Sequence, residues 1–309
     1  MKILVSSCLL GNCVRYDGGH KLNYFIKDKL GKHAKWVTVC PETESGMQTP
    51  REPMHLVNKG DTVRLVTLKT RRDLSDKMNI WINKFFSEFN TEDVCGFVFK
   101  SKSPSCGFKS VKIWSENNIL YSGKCGLFAS ECITRYPHIP CIDEGRLNDP
   151  DLHDNFIEQV FVYKSWSLLN KTDLQSLEKF HTQNKYLIMT HNSERFENLG
   201  SIISDRKLSI DQKVIKYQSL LMKILRQIAA VRSRSKVLML MVNDIKEHLS
   251  SDNLTELTEM IDNYRKGFIS LRVPLSFLNH YSRVFKCHQL QEQTIFNPYP
   301  QELDSSCKT

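Results

Sequence analysis

The first half of the chain alternates short apolar runs with segments of helical spacing. Apolar runs at Lys2–Ser6, Trp36–Val39 and Gly96–Lys100 predict three buried strands, each bounded by turn residues. Between the second and third runs, Leu74–Phe89 repeats apolar residues at the spacing of an amphipathic helix. Strands that alternate with helices are typical of α/β proteins, so we expect a Rossmann-like, mostly parallel sheet in this half.

Further segments of this half show the same two periodicities. The apolar face of the helix predicted at Leu74–Phe89 would include Ile80, Trp81 and Phe85. The other predicted elements are a strand at Val63–Leu68, helices at Leu22–Leu30, Cys125–Pro137 and Phe156–Trp166, and a surface connection from Asp149 to Asp154.

The second half has helical spacing throughout. Long amphipathic patterns run over Val214–Ile228, Val237–Leu249 and Leu254–Tyr264, and no strand pattern stands out among them. We therefore expect a second, all-α domain. The pattern changes near residues 167–172, which predicts two domains, at 1–168 and 169–309.

Composition narrows the class of protein. The 309 residues are 40% hydrophobic and 25% charged, which is ordinary for a soluble globular protein. No apolar run is long enough to span a bilayer, and the run at the N-terminus is too short for a signal peptide, so we expect a cytoplasmic protein without membrane association. The formal charge of +9 favours an anionic partner.

The cysteines are concentrated where chemistry is expected. Eight of the ten lie before residue 142, and cysteines of a cytosolic chain more often bind metal or react than form a disulfide framework. Cys8, Cys40 and Cys106 each follow a predicted strand, and Glu42 lies two residues after Cys40. If the sheet is parallel, these residues meet at its carboxyl edge, where ligands of α/β proteins bind.

Three thiols leave several kinds of site open. They fit an iron–sulfur cluster, a zinc ion or a set of redox thiols. The sequence contains no C-x-x-C pair, which structural zinc sites usually have. A cluster on three cysteines would keep one iron without a protein ligand, and that iron would be a Lewis acid open to substrate.

Five motifs carry a family resemblance: Val5–Gly11, Val14–Gly18, Val39–Glu42, Thr49–Arg51 and Lys102–Gly107. In this order, between residue 1 and about residue 160, they resemble the thiouracil desulfidase family. The resemblance implies a 4Fe–4S cluster on Cys8, Cys40 and Cys106. It also implies a non-redox reaction in which oxygen from water replaces the sulfur of a thiolated pyrimidine.

The same motifs contain the candidate site residues. By the resemblance and by position, Glu42 is the predicted general base acting on water, and Ser103 is predicted to hydrogen-bond the developing charge or to pass on a proton. The predicted substrate-binding residues are Ser7, Arg15, Asp17, Arg51 and Ser105.

The second half resembles the YbgA-like helical domain. The resemblance rests on the residues at Leu177–His191, Leu199–Gly200, Tyr264–Arg265 and Asn297–Pro300. The fused pair is similar to two-domain enzymes that convert 4-thiouridine in tRNA to uridine, which implies tRNA as a partner.

A basic run in this half supports an RNA partner. Between Arg206 and Lys236 there are nine lysines and arginines and one acid, Asp211. Such a run can be a solvated helix face, or it can bind the phosphate backbone without reading sequence. The predicted phosphate contacts are Lys213, Lys216, Lys223 and Arg226.

Two other functions stay open at this level. The chain could be a desulfidase of free thiouracil or another small thiolated pyrimidine, with the helical domain serving only dimerisation. It could instead be a non-enzymatic iron–sulfur sensor that binds RNA. The carboxylate of Glu42 beside Cys40 favours an enzyme, because a sensor does not need a base next to its cluster ligand.

Overall fold

The computed structural model describes residues 1–60, 62–115 and 118–307. The chain divides into two compact units. The first unit comprises Met1–Lys164 together with the residues from Glu302 onward, and the second comprises Ser165–Gln301. The predicted domain limits of 1–168 and 169–309 stay a prediction, and residues 308 and 309 lie outside the described part of the chain.

The described residues of the first unit form eight strands in two sheets. The strands are β1 (Lys2–Ser6), β2 (Lys35–Val39), β3 (Met54–Lys59), β4 (Thr62–Thr67), β5 (Val94–Phe99), β6 (Val111–Ser115), β7 (Asn118–Lys124) and β8 (Cys141–Asp143).

The first sheet has the strand order β2-β1-β5-β8 and is parallel throughout, which confirms the predicted α/β class. All six residues of β5 are buried, as expected for a central strand of a parallel sheet with both faces covered. Gly96 lets a helix approach this strand closely. A Cβ at Gly96 would lie 3.0 Å from Val160 Cγ2, so a larger residue would push the helix away.

The second sheet is mixed and has the order β4-β3-β6-β7. Strands β3 and β4 pair antiparallel, β3 and β6 parallel, and β6 and β7 antiparallel. Of these strands, the sequence pattern predicted only β4. Strand β3 directly follows Pro53 in a stretch that reads as irregular, and the β6–β7 ladder contains register shifts that break the alternation of side chains.

The helices of the first unit are α1 (Pro41–Glu44), α2 (Ser75–Glu88), α3 (Leu127–Arg135) and α4 (Pro150–Ser167), whose last residues reach into the second unit. Helix α4 begins at Pro150 rather than Phe156, so the predicted surface connection forms its first turns; proline suits this position because its missing N–H would be unpaired there. On α2, Ile80 is 72% exposed, whereas Met78, Ile82 and Phe86 are buried. The predicted helix near residue 22 forms a π-helical turn, Phe25–Lys29, and a 3₁₀ turn, Leu30–Lys32.

The second unit is helical over its described residues, as predicted. None of the helices in the described residues is both long and apolar enough to cross a membrane. The helices are α5 (Leu174–Gln183), α6 (Lys185–His191), α7 (Ser193–Ser204), α8 (Ile210–Leu225), α9 (Val231–Ile245), α10 (Ser251–Arg265), α11 (Arg272–Val284) and α12 (His288–Gln291).

An aromatic cluster fills the core of the second unit. Trp166 and Tyr217 are buried and stack with ring centroids 5.3 Å apart, and Phe180 packs edge-on against Trp166. His181 stacks on Phe196, and its Nδ1 lies 3.1 Å from Tyr217 Oη. Burial lowers the pKa of His181 from 6.5 to about 4, so this partly buried side chain is neutral at ordinary pH.

Candidate functional site

The three predicted cysteines meet at the carboxyl edge of the first sheet. Cys8 lies in the 3₁₀ turn Ser7–Leu10 that follows β1, Cys40 directly follows β2, and Cys106 lies in the loop after β5. Because these strands are adjacent and parallel, all three cysteines line one cavity of about 420 Å³, which we call the cysteine cavity. None of the ten cysteines, all of which lie among the described residues, forms a disulfide bond.

Close packing fixes the loop that carries Cys106. Ser103 O accepts a hydrogen bond from Gly107 N at 2.8 Å, and the first N–H groups of α3 bond the carbonyls of Pro104 and Ser105. A Cβ at Gly107 would lie 2.3 Å from Val111 Cγ2, and one at Gly126 would lie 2.5 Å from Ser105 O. Only glycine permits these approaches without a shift of the neighbouring atoms, so the loop packs closely against the start of α3.

The buried thiols are protonated when no metal is bound. Burial, together with the neighbouring Cys40, raises the pKa of Cys8 to about 11, although Lys100 and Arg15 act in the opposite direction. Burial likewise raises the pKa of Cys106 well above its ordinary value, and Cys40, Glu42 and Cys8 add to this rise. The thiols are therefore close enough to influence one another, and metal binding would have to release their protons.

The Glu42 carboxylate is buried and fully engaged. Arg51 binds Glu42 Oε2 through Nη2 and through Nε, the latter at 2.9 Å. The other oxygen, Oε1, accepts a hydrogen bond from Ser105 Oγ at 2.7 Å and a longer one from Ser103 Oγ at 3.5 Å. The two serine hydroxyls are 3.0 Å apart. One oxygen is thus fixed by a cation, and the other faces a pair of hydroxyls.

Four of the five predicted substrate-binding residues line the cysteine cavity: Ser7, Arg15, Arg51 and Ser105. Asp17 is not part of the lining. Its Oδ1 lies 3.4 Å from Arg15 Nε and accepts a hydrogen bond from Gly19 N at 3.0 Å. The Gly19 bond is the main reason that the pKa of Asp17 is lowered. Asp17 therefore shapes the loop and orients Arg15 instead of facing the cavity.

Sequence reasoning missed an ion pair beside the cavity. Lys100 Nζ binds Glu144 and also donates to Ser101 O and Oγ, both at 3.0 Å. Its backbone N–H donates to Ser6 Oγ at 2.9 Å. Lys100 follows β5 and Glu144 follows β8, so their positions at strand ends were the sequence signal that could have identified this pair. The three-residue β8 was too short to be recognised in the sequence.

The basic run of the second unit divides into exposed and buried residues. Lys216, Lys223 and Arg226 are exposed. Lys213 is buried, and its ammonium donates to Ile203 O at 2.5 Å. Ile203 lies in the last turn of α7, where carbonyls lack helical partners and a cation is favourable. The prediction that Lys213 contacts phosphate is therefore wrong; it closes the end of a helix.

No three His, Cys, Asp or Glu side chains among the described residues are placed to hold a single metal ion. Cys8, Cys40 and Cys106 line the same cavity without forming such a group. A cluster binds differently, since each cysteine ligates a different iron. The donor set of three thiols around one cavity fits a cluster better than a single ion.

Two different families match the two halves of the chain, one in the α/β unit and one in the helical unit. The family described as 2-thiouracil desulfurase matches residues 3–144. A family described as a protein of unknown function, DUF1722, matches residues 185–300.

Individual relatives each cover about half of the chain. The uncharacterized protein YbbK of Bacillus subtilis is 30% identical over 155 residues, which are 48% of this chain and 98% of YbbK. The uncharacterized protein YbgA of Escherichia coli is 24% identical over 155 residues, which are 49% of this chain and 92% of YbgA.

A solved structure, that of the 4Fe–4S-dependent thiouracil desulfidase TudS, is 27% identical and covers 47% of this chain and 92% of its own, with a TM-score of 0.39. The match of residues 3–144, together with the near-complete coverage of YbbK, shows that this chain belongs to the 2-thiouracil desulfurase family.

Proposed function

We propose that this protein is a desulfidase that replaces the sulfur of a thiolated uracil base with oxygen from water, using a 4Fe–4S cluster. The observation that carries the proposal is the placement of Glu42 with Cys8, Cys40 and Cys106 around one cavity. This combination gives a soft, sulfur-binding metal site and a base within the same space. The cavity volume of about 420 Å³ suits a ligand as small as a pyrimidine base.

Cys8, Cys40 and Cys106 would hold the cluster. When bound, it supplies a Lewis-acidic iron for the thiocarbonyl sulfur, because three cysteines leave the fourth iron without a protein ligand. The family match supports the cofactor, since TudS is described as 4Fe–4S-dependent.

Glu42 is the proposed general base. Arg51 fixes Oε2, whereas Oε1 is bound by the hydroxyls of Ser105 and Ser103, through which it can exchange a proton with water. Ser105 lies closer to Oε1 than Ser103 does, so we assign the direct proton contact to Ser105 and a relay role to Ser103. The general base takes a proton from water, whose oxygen then bonds the sulfur-bearing carbon as the C–S bond breaks and sulfide leaves. Since no electron is consumed, the proposed reaction is a hydrolysis and not a reduction.

The finer proposal is that the substrate is 4-thiouridine in tRNA. It is supported by the likeness to two-domain enzymes of that activity and by the exposed lysines Lys216 and Lys223, seven residues apart on α8. Seven residues are about two helical turns, so both side chains lie on one face. A base of folded tRNA would have to be unstacked to enter the cavity.

The direct test is anaerobic incubation of cluster-loaded protein with tRNA that contains 4-thiouridine, followed by nucleoside analysis and sulfide measurement. We expect 4-thiouridine to be replaced by uridine with release of an equal amount of sulfide. Conversion of free 4-thiouracil but not of tRNA would refute the tRNA substrate and keep the desulfidase. RNA binding without turnover of either substrate would favour the sensor and contradict the enzyme.

A further inference from the structure

Among the described residues that line the cysteine cavity, Tyr16 is the one aromatic residue. It remains 41% exposed. Single exposed aromatic residues are common on protein surfaces and need no special explanation. Tyr16 differs because its accessible surface borders the cavity that contains the cysteines and Glu42.

The position of Tyr16 is set by residues of the site. Arg51 N donates to Tyr16 O at 2.7 Å, while the guanidinium of the same arginine binds Glu42. Arg51 Nη2 also donates to Val14 O at 3.0 Å, so this side chain ties the loop around Tyr16 to the proposed base. The backbone of Tyr16 is therefore tied to Glu42 through one arginine.

Arg15 occupies one side of the ring. Its Cζ lies 5.3 Å from the centroid of the Tyr16 ring, within the range of a cation–π contact. Tight backbone bonds hold this turn, from Gly18 N to Arg15 O at 3.0 Å and from Arg15 N to Gly19 O at 3.2 Å. Tyr16 therefore has a cation against its ring and exposed surface at the cavity, an arrangement that can receive a flat ligand.

We propose that Tyr16 forms a stacking subsite for the pyrimidine ring of the thiolated substrate. This inference rests on the proposed function and adds a ligand requirement to it: the ligand must be a planar, aromatic thiocarbonyl compound, not an aliphatic thioamide. Every nucleobase has a π-face, so stacking would orient the base without selecting among pyrimidines. Discrimination would then come from the polar groups deeper in the cavity.

Stacking contributes nearly equally to the bound substrate and to the transition state, because attack of water changes the geometry of the sulfur-bearing carbon and leaves most of the ring flat against the tyrosine. Loss of such uniform binding raises KM and leaves kcat nearly unchanged. From the usual strength of base–aromatic stacking, Tyr16→Leu should raise KM for 4-thiouracil roughly 5- to 150-fold. Tyr16→Phe and Tyr16→Trp keep a stacking face and should stay within about 3-fold of the original KM.

The test compares these three variants as cluster-loaded enzymes with two readouts. The first is the split between kcat and KM for 4-thiouracil. The second is the inhibition constant of uracil, the sulfur-free product, which reports binding without the chemical step. We expect KM for 4-thiouracil and the inhibition constant of uracil to rise in parallel in Tyr16→Leu and to be unchanged in Tyr16→Phe. The iron content of both variants should equal that of the unaltered protein.

A further readout does not depend on turnover. Thiolated pyrimidines crosslink to adjacent groups under long-wavelength ultraviolet light, and peptide mapping should place the adduct in the segment with Tyr16. Unchanged KM and uracil inhibition in a folded Tyr16→Leu variant would overturn the subsite, as would equal losses in Tyr16→Phe and Tyr16→Leu. If the unaltered, cluster-loaded protein releases no sulfide, the proposed function fails, whereas uracil binding and the crosslink still decide the subsite.

Discussion

Ser105 Oγ donates a hydrogen bond to Glu42 Oε1 at 2.7 Å, although 63 positions of chain separate the two residues. Ser105 directly precedes Cys106 in the loop after β5, and Glu42 lies two residues after Cys40, which follows β2. The contact therefore joins the segments that carry two of the three proposed cluster ligands. The base and the cluster would therefore be positioned by the same loops.

Replacing Glu42 with Gln should reduce kcat by roughly 10²–10⁴, because the amide cannot accept the proton of water. Iron content should not change, since the cysteines are untouched. Glu44→Gln is the matched control. Glu44 accepts a hydrogen bond from Cys40 N at 2.7 Å but does not line the cavity, so its variant should stay within a few-fold of the original rate. Equal losses in both variants would show that Glu42 acts structurally.

Ser105→Ala should lower kcat more than Ser103→Ala. The Ser105 bond to Glu42 is short, whereas Ser103 is 3.5 Å from the carboxylate and accepts a hydrogen bond from Cys106 N at 3.1 Å. A hydrogen bond to a charged group is worth roughly 1.5–3 kcal/mol, so we expect a loss of roughly 10- to 150-fold for Ser105→Ala. Steady-state kinetics on variants of equal iron content measure the two losses of kcat. A larger loss for Ser103→Ala than for Ser105→Ala would exchange the two proposed roles.

Replacing any one of Cys8, Cys40 and Cys106 with Ser should abolish the cluster. Anaerobically prepared protein should contain about four irons per chain, and each variant should lose them together with the brown colour. Cys13→Ser is a close control, because Cys13 is exposed, lies five residues from Cys8 and is absent from the cavity lining. A stoichiometric zinc without iron in the unaltered protein would contradict the cluster.

Reversing the charge of Lys216 and Lys223 to Glu should weaken tRNA binding and flatten its salt dependence. Each lost phosphate contact should reduce the log–log salt slope by roughly 0.7–0.9. Reversal of two other exposed lysines, Lys84 and Lys179, changes net charge equally and should leave most of the slope intact. Lys213→Met should instead lower stability, because Ile203 O would lose its partner.

The outcome for free 4-thiouracil separates docking from chemistry. The Lys216 and Lys223 variant should convert the free base at the original rate, because no residue of the cysteine cavity is altered. Loss of both activities in a folded variant, or an unchanged salt slope for tRNA, would show that these lysines form an ordinary solvated face.

The second unit should lose stability in mild acid because of His181. Burial lowers the pKa of His181 to about 4, so the folded state holds this side chain neutral. The unfolded chain takes up a proton near pH 6.5, and the stability present above that pH is lost as the pH falls toward about 4. Urea unfolding at several pH values should show this decline, and His181→Gln should reduce its slope. His280→Gln, at an exposed position of α11, should not.

The sequence by itself determined the elements that build the cysteine cavity. Strands β1, β2 and β5 are short apolar runs that end at turn residues, and that signal depends only on neighbouring residues in the chain. Since parallel strands end on one edge, the placement of Cys8, Cys40 and Cys106 followed from the strand assignment. The helical character of the second half also followed, because its amphipathic spacing repeats over many turns.

Only the tertiary structure decided which polar groups meet. The partner of Lys100 is Glu144, 44 positions away, and it follows a strand of three residues that has no recognisable pattern. In the sequence, Lys213 belongs to a basic run. In the structure it is buried, and its ammonium binds a carbonyl at the end of a different helix. Such contacts are set by how distant segments pack, and a periodicity of neighbouring residues contains no information about that packing.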